Sequence, residues 1–131
     1  MRVSFDFDST LDRESVQSFA KELLDRGFEV WVVTTRHSNE VAKELFGSEN
    51  HNKDLFKVVD ELGIDRNNIH FTNHEDKWPF LKTMDFAFHL DDDWVELRLI
   101  QKNVKGTTAV SSFGSPNWKN KCLKAIIKKN V

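Results

Sequence analysis

Asp6 and Asp8 stand two residues apart at the end of the hydrophobic run Met1-Arg2-Val3-Ser4-Phe5. In an extended backbone, residues two apart project to the same side, so both carboxylates would face one spot. Acids that close repel each other unless a cation or a shared proton lies between them. The same residues also read as an acidic turn, because Asp and Ser are ordinary turn formers. Three further groups break the tie: Thr34 ends an apolar run, Lys77 follows a polar loop, and Asp91-Asp92-Asp93 follow a second apolar run. A hydroxyl, an ammonium and several carboxylates brought together could bind a hard cation.

The elements that must position these groups follow from the apolar pattern. Val16, Phe19, Ala20, Leu23 and Leu24 recur at helical spacing, with Asp12 as the expected cap and Gly27 beyond the end. Residues 28–33 are β-branched and apolar, as in a buried parallel strand. Ser38 is placed to cap a helix with Val41, Ala42, Leu45 and Phe46 on one side, and a second helix carries Leu55, Phe56, Val59 and Leu62 inward. Strands are expected at 69–71, 86–90 and 107–111, and helices at about 77–82, 94–101 and, beginning at Ser115-Pro116, along the C-terminal stretch. Strands alternating with helices predict an α/β fold, a three-layer Rossmann-like sandwich around a mostly parallel sheet. In such a sheet Asp6, Asp8, Thr34, Lys77 and the three aspartates collect at the carboxyl edge, where ligands bind.

In this order the groups resemble the motifs of the haloacid dehalogenase (HAD) superfamily. Asp6-Phe7-Asp8-Ser9-Thr10 resembles its DxDx(T/V) first motif, and Val32-Val33-Thr34 its second. Lys77 resembles the third, and Phe88-His89-Leu90-Asp91-Asp92 the acidic fourth. The resemblance implies a magnesium-dependent phosphatase in which Asp6 attacks a phosphoryl group and Asp8 is the general acid and base. Thr34 would hold a phosphoryl oxygen, and Lys77 would steady the nucleophile and the phosphate. Mg2+ would sit among Asp6, the backbone carbonyl of Asp8, and an acid of the fourth motif. The family's pattern favours Asp92, with Asp91 beside it and Asp93 capping the next helix. Thr35 and Lys82 are the alternatives to Thr34 and Lys77. The short interval between Asp8 and Thr34, and the helices between Arg36 and Lys77, leave no cap domain. A site without a cap suits a phosphorylated small molecule, a nucleotide or a nucleic-acid end. Passage of the phosphoryl group to another alcohol is compatible with the same motifs.

Other features admit plainer readings. The five histidines, His37, His51, His70, His74 and His89, have no metal-demanding spacing and read as loop or core residues. Arg36 could hold an anion or form a surface salt bridge. Trp78 and Trp94 read as core, with base stacking the functional alternative. The lysines of the last helix read as a solvated face. A length of 131 residues fits one domain, 1–131, and a net charge of −2 gives no general attraction to nucleic acid or membrane. No apolar run approaches spanning length, and the single Cys122 suggests a reducing, cytoplasmic setting. Two other function classes are a signalling receiver, which also uses Asp, Thr and Lys but with the acceptor aspartate after the middle strand, and a binding or scaffold protein without turnover.

Overall fold

Residues 1–131 are described by a computed structural model. Strands β1 (Arg2–Phe5), β2 (Glu29–Thr34), β3 (Ile69–Phe71), β4 (Phe86–Asp91) and β5 (Thr108–Ser111) form one sheet in the order β3-β2-β1-β4-β5. Every neighbouring pair is parallel. The helices are α1 (Glu14–Asp25), α2 (Asn39–Phe46), α3 (Lys53–Leu62), α4 (Trp78–Lys82), α5 (Trp94–Asn103) and α6 (Trp118–Lys129). Parallel connections cross over in a right-handed sense. The chain steps outward from β1 to β3 and then returns to β4, so α1 and α3 cover one face and α4 and α5 the other. The core divides accordingly. Phe5, Phe19 and Phe88 pack edge-on or stacked within 6.2 Å of one another and meet Cys122, Ala125 and Ile126 of α6. Val33, Leu81, Phe86, Ile100 and Val104 form the smaller cluster beneath α4 and α5. The result is a three-layer Rossmann-like sandwich.

Reversal of direction after β3 puts the topological switch point between β1 and β4. A crevice opens at the carboxyl ends of strands at such a point, and ligands bind there. These are the two strands that lead into Asp6 and Asp91.

One irregularity adjusts this edge. Arg2 pairs with Phe86 but Ser4 pairs with His89, so β4 carries one residue more than β1 between the two rungs. Such a bulge breaks the alternation of side chains. Ala87 and Phe88 both join the larger core cluster, whereas Phe86 lies in the smaller one.

Several local expectations are corrected. Asp12 does not cap α1; its carboxylate accepts from the Ser9 backbone N–H at 3.1 Å, and the residue at the cap position, Arg13, makes no side-chain capping bond but donates instead to the Ser112 carbonyl at 2.8 Å. In α2 only Ala42 is buried, while Leu45 and Phe46 are exposed, because no strand or other helix packs closely along this eight-residue helix. Helix α6 begins at Trp118, since Ser115 Oγ accepts from the Asn117 N–H in a turn of its own. Ser38 does cap α2, accepting from the Val41 N–H at 3.3 Å. No helix is long and apolar enough to cross a membrane.

Candidate active site

The backbone leaves β1 at Asp6, whose N–H still donates to the Leu90 carbonyl of β4 at 2.8 Å. It then turns tightly through residues 7–11, with Ser9 in the left-handed region at φ 58°. The Asp6 side chain is thereby held over the switch point and is 6% exposed. Lys77, directly before α4, reaches the same point from the other face of the sheet and is 2% exposed. Its ammonium donates to Asp6 Oδ1 at 2.9 Å and to Asp91 Oδ2 at 2.5 Å. An ammonium has three N–H donors, so one remains for an incoming group. The Lys77 backbone N–H is itself fixed by Glu96 Oε2 of α5 at 3.3 Å.

Asp91 is fully buried and largely engaged. Its Oδ1 accepts from the Asp93 N–H at 3.0 Å, and its Oδ2 receives both Lys77 and His89 Nε2, the latter at 2.8 Å. Asp92 is half-buried, and carboxylate oxygens of Asp6, Asp91 and Asp92 lie within 4.8 Å of one another. Asp93 caps α5 by accepting from the Val95 and Glu96 N–H groups, as expected. With Asp91 committed to Lys77, His89 and Asp93, the acids with oxygens to spare are Asp92 and, through Oδ2, Asp6.

The electrostatics follow from this crowding. Burial pushes the Asp6 carboxyl up to about 9; Lys77 opposes the rise and Asp91 adds to it. Burial acts on Asp91 in the same sense, but the bonds from His89 and Lys77 outweigh it and hold that carboxyl well below the usual range. Burial also pulls on the Lys77 ammonium, yet Asp6 and Asp91 together leave it raised. Burial lowers His89 below its ordinary value. Three carboxylates against one ammonium leave a formal charge of about −2, which a proton on Asp6 relieves in part and a divalent cation in full. An all-oxygen donor set of this kind fits Mg2+.

This predicts a pH signature. A carboxyl whose pKa is raised on folding stabilises the fold below its ordinary value of 3.8, and that benefit is lost as pH climbs to about 9. His89 and His70, lowered by burial, slope the other way only below their ordinary 6.5. Between 6.5 and 9 the Asp6 term prevails, and stability of the metal-free protein is expected to fall by at most about 1.4 kcal/mol per pH unit. A divalent cation such as Mg2+ in place of the Asp6 proton would cancel that loss. Thermal melts with Mg2+ or chelator at pH 6.5 and 9 check it: the gain from Mg2+ grows with pH, and an equal gain at both would contradict the assignment.

The remaining expected residues divide into those at the centre and those beside it. Thr34 ends β2 at the same edge and is 1% exposed; its Oγ1 accepts from the Arg36 N–H at 3.2 Å, leaving the hydroxyl hydrogen free to donate. Thr35 is less buried, and Lys82 is exposed, with its ammonium over the Trp78 ring. The Asp8 side chain does not share the Asp6 spot. The turn after Asp6 ends the alternation, and Arg36 donates to both Asp8 oxygens at 2.9 and 2.7 Å. The other side of the Arg36 guanidinium grips Asp54 at 2.8 and 2.9 Å, and its plane lies over Phe7. Arg36 is thus occupied by two carboxylates rather than open to an anion. His37 and His74 lie together beyond the ends of β2 and β3, with ring centroids 4.4 Å apart, outside the acid cluster. Trp78 packs on the smaller core cluster, but Trp94 is exposed, with the Arg98 guanidinium over its ring.

Cavity volume does not mark this place. A groove of about 460 Å³ runs along α5, lined by Trp94, Val95, Arg98, Leu99, Gln101 and Lys102, and contains none of the clustered acids. Chemistry, not volume, locates the site. Sequence reasoning missed Ser4 and His89 as partners of that chemistry. The available signal was a polar residue in each of two strands buried on both sides.

No family model matches the chain, and no curated protein matches it. Among solved structures, a crystal structure of a hypothetical protein from Xanthomonas campestris superposes with a TM-score of 0.56. The match covers 98% of this chain and 81% of that one, at 12% identity. At that identity the likeness is one of fold.

Proposed function

We propose that the protein is a magnesium-dependent phosphatase of HAD type, acting on phosphate monoesters through an aspartyl-phosphate on Asp6. The observation that carries this reading is the buried Asp6–Lys77–Asp91 arrangement at the switch point, with Asp92 beside it. Asp6 and Asp92, with the Asp8 backbone carbonyl as the motif resemblance implies, would hold Mg2+. The ion supplies positive charge that offsets the repulsion between an anionic nucleophile and an anionic phosphate.

The chain's own residues do the rest. A carboxylate oxygen of Asp6 attacks phosphorus as the bond to the leaving oxygen breaks. Asp8 gives that oxygen its proton, then takes one from the water that attacks the aspartyl-phosphate and releases inorganic phosphate. For this the Asp8 carboxyl exchanges its pair with Arg36 for the substrate. Thr34 and the third Lys77 N–H donate to phosphoryl oxygens. The open edge, covered by no inserted domain between β1 and α4, suits a phosphate on a nucleotide or a nucleic-acid end. The single Cys122, buried in the core, suits a reducing cytoplasm.

A receiver domain is the less supported alternative. Its strand order puts the switch point between the first and third strands, whereas here β1 and β4 flank it. A scaffold without turnover leaves the buried ammonium between two acids without a task. The deciding experiment is hydrolysis of an aryl phosphate with Mg2+ and with chelator. Turnover that needs the metal supports the proposal; no turnover on aryl phosphate, nucleotides or phosphorylated oligonucleotides overturns it.

A further inference from the structure

His89 sits in the middle of β4 between Phe88 and Leu90, with no exposed surface. An apolar side chain there would avoid the cost of burying a polar ring, so the imidazole calls for a reason. Its two nitrogens join two strands. Nδ1 lies 2.8 Å from Ser4 Oγ on the paired rung of β1, and Nε2 lies 2.8 Å from Asp91 Oδ2. A carboxylate only accepts, so Nε2 carries the hydrogen; in the neutral ring Nδ1 then accepts from the Ser4 hydroxyl, which lies nearer to it, at 2.8 Å, than to the Phe88 carbonyl, at 3.3 Å. Hydrogen bonds therefore run without a break from Ser4 through His89 to Asp91, whose Oδ2 also takes Lys77, and from Lys77 to Asp6.

We propose that His89 is a positioning residue, whose Nε2–H holds Asp91 in the one orientation that seats the Lys77 ammonium against Asp6 with its third N–H turned to substrate. The proposal rests on the phosphatase reading for its kinetic arm only. Asp91 Oδ1 is tied to the Asp93 N–H; without His89 the carboxylate is pinned at one oxygen and can rotate toward Lys77. The ammonium then shifts with it, and the loss falls on the charge-separated transition state more than on substrate binding.

Three variants separate this from a packing role. Gln at 89 can present an N–H near the Nε2 position, Asn can do so only near Nδ1, and Leu in neither place. On an aryl phosphate with saturating Mg2+, H89N and H89L are expected to lose about tenfold or more in kcat with KM little changed, while H89Q stays within about threefold of wild type. Melting temperatures are recorded alongside. Loss of kcat in step with loss of stability across all three variants, or no loss in H89N, overturns the proposal. Should H89L fail to fold, the H89Q and H89N pair carries the comparison. An arm independent of turnover is the 15N spectrum of the His89 ring in the metal-free protein. A protonated Nε2 with bare Nδ1 supports the proposal, and the opposite tautomer overturns it. Wild type inactive on every phosphate sinks the phosphatase reading, and the tautomer alone then decides the positioning.

Discussion

Asp6→Asn is expected to remove turnover of phosphate monoesters, by a factor on the order of 10³ or more, while leaving the protein folded. The amide keeps the shape of the side chain but cannot supply the attacking electron pair. Folding should not suffer. Burial already favours the neutral carboxyl at this position, so a neutral isostere beside Asp91 relieves repulsion. In the absence of Mg2+ the variant is expected to melt at or above the wild-type temperature, and to lose the gain that Mg2+ gives the wild type. Steady-state kinetics and paired thermal melts read both effects. An active variant would show that Asp6 is not the nucleophile; an inactive one that melts far below wild type would mean that the loss came from unfolding.

Lys77→Met is the substitution with the largest expected effect on stability. Lys77 donates to two buried acids, Asp6 and Asp91, and methionine fills a similar volume without a charge. Removing one member of a buried ionic group leaves the others uncompensated, at a cost of about 3–5 kcal/mol. Urea unfolding measures this. Asp91→Asn in the same chain should restore a sizeable part of the loss, because the two residues are in contact and their effects do not add. A Lys77→Met protein as stable as wild type would contradict the counter-charge role.

The chain discloses its architecture more readily than its site. β2 and β4 are apolar runs flanked by polar loops, and α1 repeats its apolar residues every three to four positions, so burial alone dictates both periods. Asp6, Thr34, Lys77 and the aspartates are legible as a group because strand ends in a parallel sheet share one edge. Asp8 is different. The period-two argument holds only while the backbone stays extended, and it turns at residue 7, which sends the Asp8 carboxylate to Arg36. Asp54, which grips Arg36 from the loop-proximal end of α3, has no sequence signal at all. Leu45 and Phe46 follow a helical period but meet solvent, because the spacing of apolar residues says which side of a helix is greasy and not whether anything covers it. Among three adjacent, chemically identical aspartates, only contacts separate the one that holds Lys77 from the one with oxygens to spare and the one that caps α5.

The extra residue in β4 bears on how relatives of this chain are to be compared. Past the bulge, odd and even positions exchange sides of the sheet, so Phe86 shares a side with His89 and Asp91 rather than with Phe88. Counting by twos from Phe86 would assign Phe88 and Leu90 to the Lys77 side and turn His89 and Asp91 toward the phenylalanine core. A homologue with a regular strand here must bring its first acid one position earlier to meet the same lysine. In an alignment the meaningful landmark is the rung shared with Ser4, and a one-residue gap before the acids marks the bulge rather than an error.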